Sequence, residues 1–154
     1  MAKNKVILTS GTSDKRECRY TGADIAPGIF VMPTTESATT QTGVNGSTGL
    51  VTVAAASYTD QIAVADLSSV NGMSWETKFA DGDQIAVLYP TNGCIINVRC
   101  GSTADIAIGT KIAIGADGKA VSTSGSDAIG VANENWVAAD YTTSVPTIKV
   151  EVLK

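Results

Sequence analysis

Short aliphatic runs alternate with polar residues along most of the chain. In the segment 147–153, TIKVEVL, every second residue from Ile148 is aliphatic and the residues between are charged. This period of two is typical of a β-strand with one buried face, and no segment sustains the 3.6-residue period of an amphipathic helix. The predicted strands span residues 5–9, 28–32, 49–55, 61–65, 83–89, 94–100, 111–115, 119–123, 128–132 and 147–153.

Asn-Gly and Asp-Gly pairs separate many of these runs. A type I′ hairpin turn needs positive φ at both central residues, which these pairs tolerate best. They occur at residues 45–46, 71–72, 81–82, 92–93 and 117–118. Short strands between regular turns predict an all-β fold, a compact barrel or sandwich of about ten short strands. One turn of helix is expected, near residues 68–79.

Two polar regions fall outside this pattern. Residues 1–20 hold one strand and then a hydrophilic stretch, so we expect an extended N-terminal arm there. Residues 21–154 are expected to form a single β domain, because 154 residues suffice for one core. Within that domain, residues 33–48 are rich in Thr, Ser and Gly and predict a long surface loop. Aromatic residues make up only 5% of the chain, so the core is expected to be aliphatic.

The charge distribution is uneven, although the net charge is only −4. Residues 1–19 carry a net charge of +3, which leaves −7 on the remainder. An acidic domain is a poor nucleic-acid ligand, because binding to phosphates requires clustered cations. The cationic arm is instead suited to an acidic protein surface. Its cations are Lys3, Lys5, Lys15, Arg16 and Arg19.

The sequence offers no targeting or membrane signal. No apolar stretch approaches the ~20 residues of a membrane span, and the first residues are too polar for the core of a signal peptide. We therefore expect no membrane partner, and synthesis and folding in the cytoplasm. Three cysteines, an odd number, fit that compartment. Cys94 and Cys100 would stand ~20 Å apart on an extended strand, too far for a disulfide bond.

One short motif occurs twice, as ADIAPG at 23–28 and ADIAIG at 104–109. Each copy precedes a predicted strand. We interpret both as tight corners, in which Asp24 and Asp105 accept backbone N–H groups while Gly28 and Gly109 adopt a backbone angle that other residues avoid. A further turn, Asp117–Gly118, is expected to join two strands as a hairpin. A catalytic pair of aspartates is the weaker interpretation, because no Asp-Thr/Ser-Gly motif is present.

No recognisable catalytic or cofactor motif is present. The chain has no histidine, which excludes Ser-His-Asp and Cys-His catalysis and most transition-metal sites. Phosphate-binding glycine motifs are missing too. Asp81 and Asp83 lack the loop pattern of a calcium site, so a solvated turn is the simpler reading. We predict a protein that is not an enzyme and that has no cofactor and no metal.

Three segments together resemble a known family. GDQIAV at 82–87, ADIAIGTKIAIGADGKAV at 104–121 and AIGVANEN at 128–135 resemble the β-rich decoration, or cement, proteins of tailed-bacteriophage capsids. The similarity covers roughly residues 80–135, with a weaker echo at 22–32. It implies a non-enzymatic protein on the virion surface that binds the major capsid protein, commonly as a homotrimer, and stabilises the shell at capsomer junctions.

With that resemblance, the arm becomes the candidate partner-binding segment. We expect its cations to lie on an acidic capsid surface or on a neighbouring protomer, and the strand containing Val6, Ile7 and Leu8 to add to a partner's sheet. The alternative is a tail, fibre or adhesin module that binds a host receptor or a glycan through residues 33–48. The absence of aromatic residues from that loop counts against a sugar site.

Overall fold

The computed structural model describes residues 7–34, 49–66, 74–142 and 145–154, and these residues fold into eleven β-strands. The predicted all-β class is confirmed. The strands are β1 Leu8–Ser10, β2 Ser13–Tyr20, β3 Phe30–Pro33, β4 Leu50–Val53, β5 Ala63–Ala65, β6 Gln84–Pro90, β7 Ile95–Arg99, β8 Lys111–Ile114, β9 Ala120–Ser122, β10 Gly130–Ala132 and β11 Thr147–Val152. A 3₁₀ turn at Ala138–Tyr141 is the only helical element of the described residues.

Five strands close into a barrel, which we call the first barrel. Its order is β2-β4-β3-β5-β6, and β6 returns to β2 through seven antiparallel residue pairs. The closing contact between β2 and β4 is parallel, with Arg19 opposite Leu50 and Tyr20 opposite Val51. Its interior is filled by aliphatic residues together with Tyr20 and Phe79, which are both at most 3% exposed.

The other six strands form the second sheet, in the order β1-β7-β11-β10-β8-β9. Its strands β7 and β9 approach each other, because Cys100, directly after β7, makes a parallel bridge with Ala120 at the start of β9. That bridge corresponds to the parallel contact that closes the first barrel. Apart from β1, the second sheet therefore has the same cyclic strand order as the first barrel, with β7 to β11 in the places of β2 to β6.

The doubled sequence motif lies at matching positions of this duplicated architecture. Ile25 exchanges two backbone hydrogen bonds with Phe79, and Ile106 does the same with Trp136. Three residues after each isoleucine, and two residues before the next strand, a glycine has positive φ, +85° at Gly28 and +83° at Gly109. Their N–H groups donate to the last residues of β5 and β10, at 2.8 Å in both cases. The two halves of the chain are thus structural repeats.

The two repeats share one hydrophobic core. The larger core cluster joins residues of both halves, including Phe30 and Trp75 of the first barrel and Ile112 and Trp136 of the second sheet. Trp75 and Trp136 are each 2% exposed, as expected of tryptophans that pack in a core. Hydrogen bonds cross the boundary as well, from Ser57 N to Ile114 O and from Phe30 N to Gly118 O. The repeats are therefore packed together and are not separated by a linker.

The expected N-terminal arm is wrong for residues 13–20. These residues form β2, whose last residues, Cys18 and Tyr20, are at most 2% exposed inside the first barrel. The segment reads as polar because residues 14–17 are exposed on both faces, so it lacks the alternation that marked the other strands. Its pairing comes from β6, which contributes the apolar residues that β2 lacks.

The expected pairing of residues 6–8 with a partner's sheet also differs from what the structure has. Leu8 pairs with Ile96 of the same chain, and the carbonyl of Ile7 accepts a hydrogen bond from Asn97 N. Ile7 is only 1% exposed, so it belongs to the core. Val6, Lys3 and Lys5 lie outside the described residues, as does most of the predicted loop, residues 35–48. Of the helical turn expected near 68–79, residues 74–79 form turns and a bridge.

The two corner glycines provide a matched pair of variants. An added Cβ at Gly28 would overlap the Trp75 ring, whereas at Gly109 nothing lies within 4 Å. Because both backbones are left-handed, we expect Gly109→Ala to lower the free energy of unfolding by about 1–2 kcal/mol. Gly28→Ala should lose roughly 1–3 kcal/mol more from overpacking. Chemical denaturation of both variants measures the difference, and equal losses would contradict a close contact at Gly28.

Acid should weaken the contact between the repeats. Ser57 Oγ donates to Asp127 Oδ2 at 2.7 Å, and Thr123 Oγ1 donates to Asp127 Oδ1 at 2.8 Å. These hydrogen bonds lower the pKa of Asp127 below its usual range. A lowered folded-state pKa stabilises the protein above the unfolded-state value of about 3.9, and this contribution is lost as pH falls through the folded-state value.

We therefore expect Asp127→Asn to lower the free energy of unfolding at neutral pH, and the difference from the wild type to shrink as pH falls below about 4. Denaturation curves over a pH series measure it. Asp60→Asn, at the corresponding position of the first barrel, controls for the loss of one negative charge. A difference that stays constant with pH would show that the Asp127 carboxylate contributes nothing through its ionised form.

Candidate interaction surface

Three of the predicted cations lie on β2. Lys15 is about half exposed and forms an ion pair with Asp66 at 2.8 Å. Arg16 pairs with Asp14 at 2.7 Å and lies over the Tyr89 ring, 4.8 Å from its centroid. Arg19 is half-buried near the end of the strand, where β4 joins the barrel. The cations thus belong to a rigid strand, which fixes their spacing.

The ion pair of Arg16 does not prevent its side chain from meeting a partner. Asp14 and the Arg16 side chain are each more than half exposed, and such an exposed pair contributes about 0–1 kcal/mol to stability, so Arg16 exchanges its carboxylate at little cost. Lys15 is also about half exposed, but its partner Asp66 is only 14% exposed. The outer part of β2 therefore presents cations suited to an acidic surface.

Beneath Arg16 lies a small polar contact that has no catalytic character. The Cys18 thiol and the Tyr89 hydroxyl are 3.8 Å apart. Burial, together with the hydrogen bond to Cys18, raises the pKa of Tyr89 to about 12, so its hydroxyl is neutral at physiological pH. A neutral phenol packed under a guanidinium serves to hold Arg16 in place, and it provides neither a nucleophile nor a base.

The two corner aspartates lie in different repeats. Asp24 belongs to the first barrel and Asp105 to the second sheet, where Asp105 Oδ1 accepts a hydrogen bond from Ala138 N at 2.9 Å. Asp117 forms an ion pair with Lys119 at 2.6 Å at the β8–β9 hairpin, and Gly118 has φ of +71°. Asp117 and Gly118 thus lie at a turn, as predicted, whereas Asp105 is joined to the segment after Trp136. Within the described residues, no group of three or more His, Cys, Asp or Glu side chains is placed to hold a metal ion.

Two features of the surface escaped the sequence analysis. Ile108, in the second corner, is 61% exposed, the highest value among the large hydrophobic residues of the described chain. Arg99, at the end of β7, is directed at the first barrel, where its Nε donates to Pro27 O at 2.8 Å. The sequence does carry a signal of the duplication. Arg19 and Arg99 each precede a corner motif, and DQIAVA at 60–65 is similar to DAIGVA at 127–132.

In the described part of the chain, no helix is long and apolar enough to cross a membrane.

Comparison with known proteins identifies the fold. No family model and no curated protein matches the sequence. Among solved structures, the chain is similar to the N base of the head fiber protein gp8.5 of bacteriophage phi29, with a TM-score of 0.61 and 15% sequence identity. The match covers 92% of this chain and 94% of that one, so it includes both repeats. At this identity the similarity establishes a shared fold.

The cysteines should be unreactive in the native protein. Cys18, Cys94 and Cys100 are all free and at most 2% exposed, and burial raises the pKa of the Cys100 thiol. Because the thiolate is the reactive form, we expect no labelling by a thiol reagent within minutes in native buffer and three labelled sites in denaturant. Absorbance or intact mass measures the count. Rapid native labelling of any one thiol would contradict its burial.

Proposed function

We propose that this chain is a non-enzymatic structural protein of a phage virion, which binds the major capsid protein on the outer surface of the head. The observation that carries the proposal is the fold shared over 92% of the chain with the base of a phage head fiber. The resemblance of residues 80–135 to capsid decoration proteins points to the same location. Two unrelated lines of argument, one from motifs and one from backbone geometry, thus lead to a phage head.

The physical character of the molecule supports a binding role. The first barrel pairs its strands in a closed ring, which limits uncontrolled association through sheet edges at high local concentration. The titratable groups described above are engaged in turns, ion pairs or core packing, and none is placed as a catalytic acid and base. The exposed cations of β2 offer a contact for an acidic partner surface.

Within this role we favour a capsid-stabilising protein that assembles as a homotrimer and bridges capsomer junctions. The second candidate is the base of a fibre that attaches to the head and carries a receptor-binding or glycan-binding part. The name of the structural neighbour, a head fiber base, favours it. Both candidates require capsid binding, and they differ in whether the shell gains stability.

The test combines binding with shell stability. Purified capsids that lack the protein are mixed with it and sedimented, and their resistance to heat or denaturant is then measured with and without the bound chain. Stoichiometric uptake with increased resistance supports a stabilising protein. Uptake without increased resistance supports a fibre base. Absence of uptake refutes capsid binding altogether.

The binding surface can be tested on β2 without deleting the strand, which the barrel requires. We expect the double variant Lys15→Glu, Arg16→Glu to reduce capsid affinity at least tenfold, because it reverses two exposed cations. Lys78→Glu, Lys154→Glu is the matched control, since it makes the same change in net charge at exposed positions off this strand. Sedimentation binding curves at low and moderate salt measure the affinities. Equal losses in both doubles would show that net charge alone matters.

A further inference from the structure

The duplication shows how one corner of this fold is covered by a neighbour. At the corner of the first barrel, two successive carbonyls accept hydrogen bonds from Arg99, the last residue of β7 in the second sheet. Its Nε donates to Pro27 O at 2.8 Å, and its backbone N donates to Gly28 O at 2.9 Å. A third hydrogen bond runs from its Nη2 to Trp75 O. This corner thus binds an arginine at the end of a strand, through its guanidinium and its backbone together.

The matching corner of the second sheet has the same backbone but no such neighbour. The repeated motif places Ile108 where its first copy has Pro27, directly before the corner glycine. Pro27 is buried, whereas Ile108 is 61% exposed, and Gly109 is exposed where Gly28 is buried. No described residue donates a hydrogen bond to the Ile108 carbonyl or to the Gly109 carbonyl. The described part of the chain therefore leaves open the two acceptors that the first corner uses.

The open corner combines exposed apolar residues with acidic ones. The segment that is bridged to this corner through Trp136 adds Val137, which is 39% exposed. The two segments that form the corner, 104–111 and 133–142, carry three acidic residues and one basic residue, namely Asp105, Glu134, Asp140 and Lys111. Three negative charges against one positive charge leave a net charge of −2. An acidic surface around exposed apolar residues favours a cationic partner.

A second copy of this chain has no suitable arginine to offer to the open corner. The chain has three arginines. Arg99 is engaged at the first corner, and Arg19 is half-buried with an interaction of its own. Arg16 lies in the middle of β2, where it pairs with Asp14 and packs over Tyr89, and so it is not at the end of a strand. A partner that provides a strand-end arginine is therefore a different protein.

We propose that the corner around Ile108 and Gly109 binds an arginine at the end of a strand or loop of the major capsid protein. The guanidinium donates to the Ile108 carbonyl, a backbone N–H of the partner donates to the Gly109 carbonyl, and the aliphatic part of the arginine packs on the Ile108 side chain. The inference rests on the capsid binding of the proposed function and names one contact of it. This contact is separate from the cations of β2, which lie on the first barrel. Two contacts of opposite charge favour one orientation of the chain on the shell.

The first experiment measures sedimentation binding curves with purified capsids that lack the protein. We expect Ile108→Lys to weaken binding about tenfold or more, because it places a cation against the guanidinium of the partner. Leu153→Lys is the matched control and should bind as the wild type does. Leu153 is 48% exposed and donates its N–H to Ile129 O, directly before β10, whereas the corner lies after β10. Circular dichroism confirms that each variant folds.

A second variant distinguishes a guanidinium from an apolar group on the partner. Ile108→Asp removes the same apolar side chain but adds a carboxylate, with which a guanidinium can pair. We therefore expect Ile108→Asp to bind capsids about tenfold more tightly than Ile108→Lys at low salt, and this difference to shrink as the salt concentration rises. Equal losses in the two variants would show that the corner meets an apolar surface, and would overturn the arginine contact.

Photo-crosslinking identifies the protein that covers the corner. Ala107 is exposed and precedes Ile108, so p-benzoylphenylalanine in place of Ala107 keeps the Ile108 side chain. After irradiation of the protein bound to capsids, peptide mass spectrometry should find crosslinks to the major capsid protein. The same photo-reactive residue in place of Leu153 is the control. Crosslinks to a second copy of this chain, or no more crosslinks than the control gives, would overturn the inference.

The outcomes separate this inference from the proposed function. Uptake of the wild type together with unchanged uptake of Ile108→Lys refutes the corner contact and leaves capsid binding intact. Equal losses with Leu153→Lys and Ile108→Lys refute the corner contact too, because the effect would then follow net charge alone. A wild type that capsids do not take up refutes capsid binding, and the corner contact with it.

Discussion

The backbone of one glycine in each half must turn into the left-handed region, and the rest of the structure follows from that constraint. At Gly28 and Gly109 the turn brings an N–H group back to the last residue of a neighbouring strand and starts the next strand beside it. The isoleucine three residues earlier is fixed by its bridge to an aromatic residue. Because a side chain costs about 1–2 kcal/mol in this conformation, glycine is the natural choice.

The sequence predicted the class and most strands, since all ten predicted segments overlap strands of the structure. The missed strand, β2, has four consecutive exposed residues, so no alternation revealed it. Its pairing partner lies some 70 residues away, and a local pattern carries no information about such a partner. The duplication was visible in the two corner motifs, but strand order and closure depend on long-range pairing, as with the parallel bridge of Cys100 to Ala120.

For the candidate surface, residue types were easier to predict than positions. The cations of β2 were identified from charge alone, but the sequence assigned Lys15 and Arg16 to an arm and the structure places them on a barrel strand. The sequence predicts a binding element at Ile7 and Leu8, whereas in the structure Ile7 is in the core and Leu8 pairs with Ile96 of the same chain. An apolar sequence indicates that a segment will be buried, but it does not indicate whether the same chain or a partner chain buries it.

The position of β1 has a consequence for synthesis. It is made first, yet it belongs to the second sheet, and Thr9 Oγ1 donates its hydrogen bond to the carbonyl of Ile95, 86 residues later. A nascent chain that leaves the ribosome therefore carries an apolar strand without its partner until β7 emerges, while the intervening first barrel already has all its strands. During that interval the unpaired strand is open to non-native pairings, as long-range β pairing generally is.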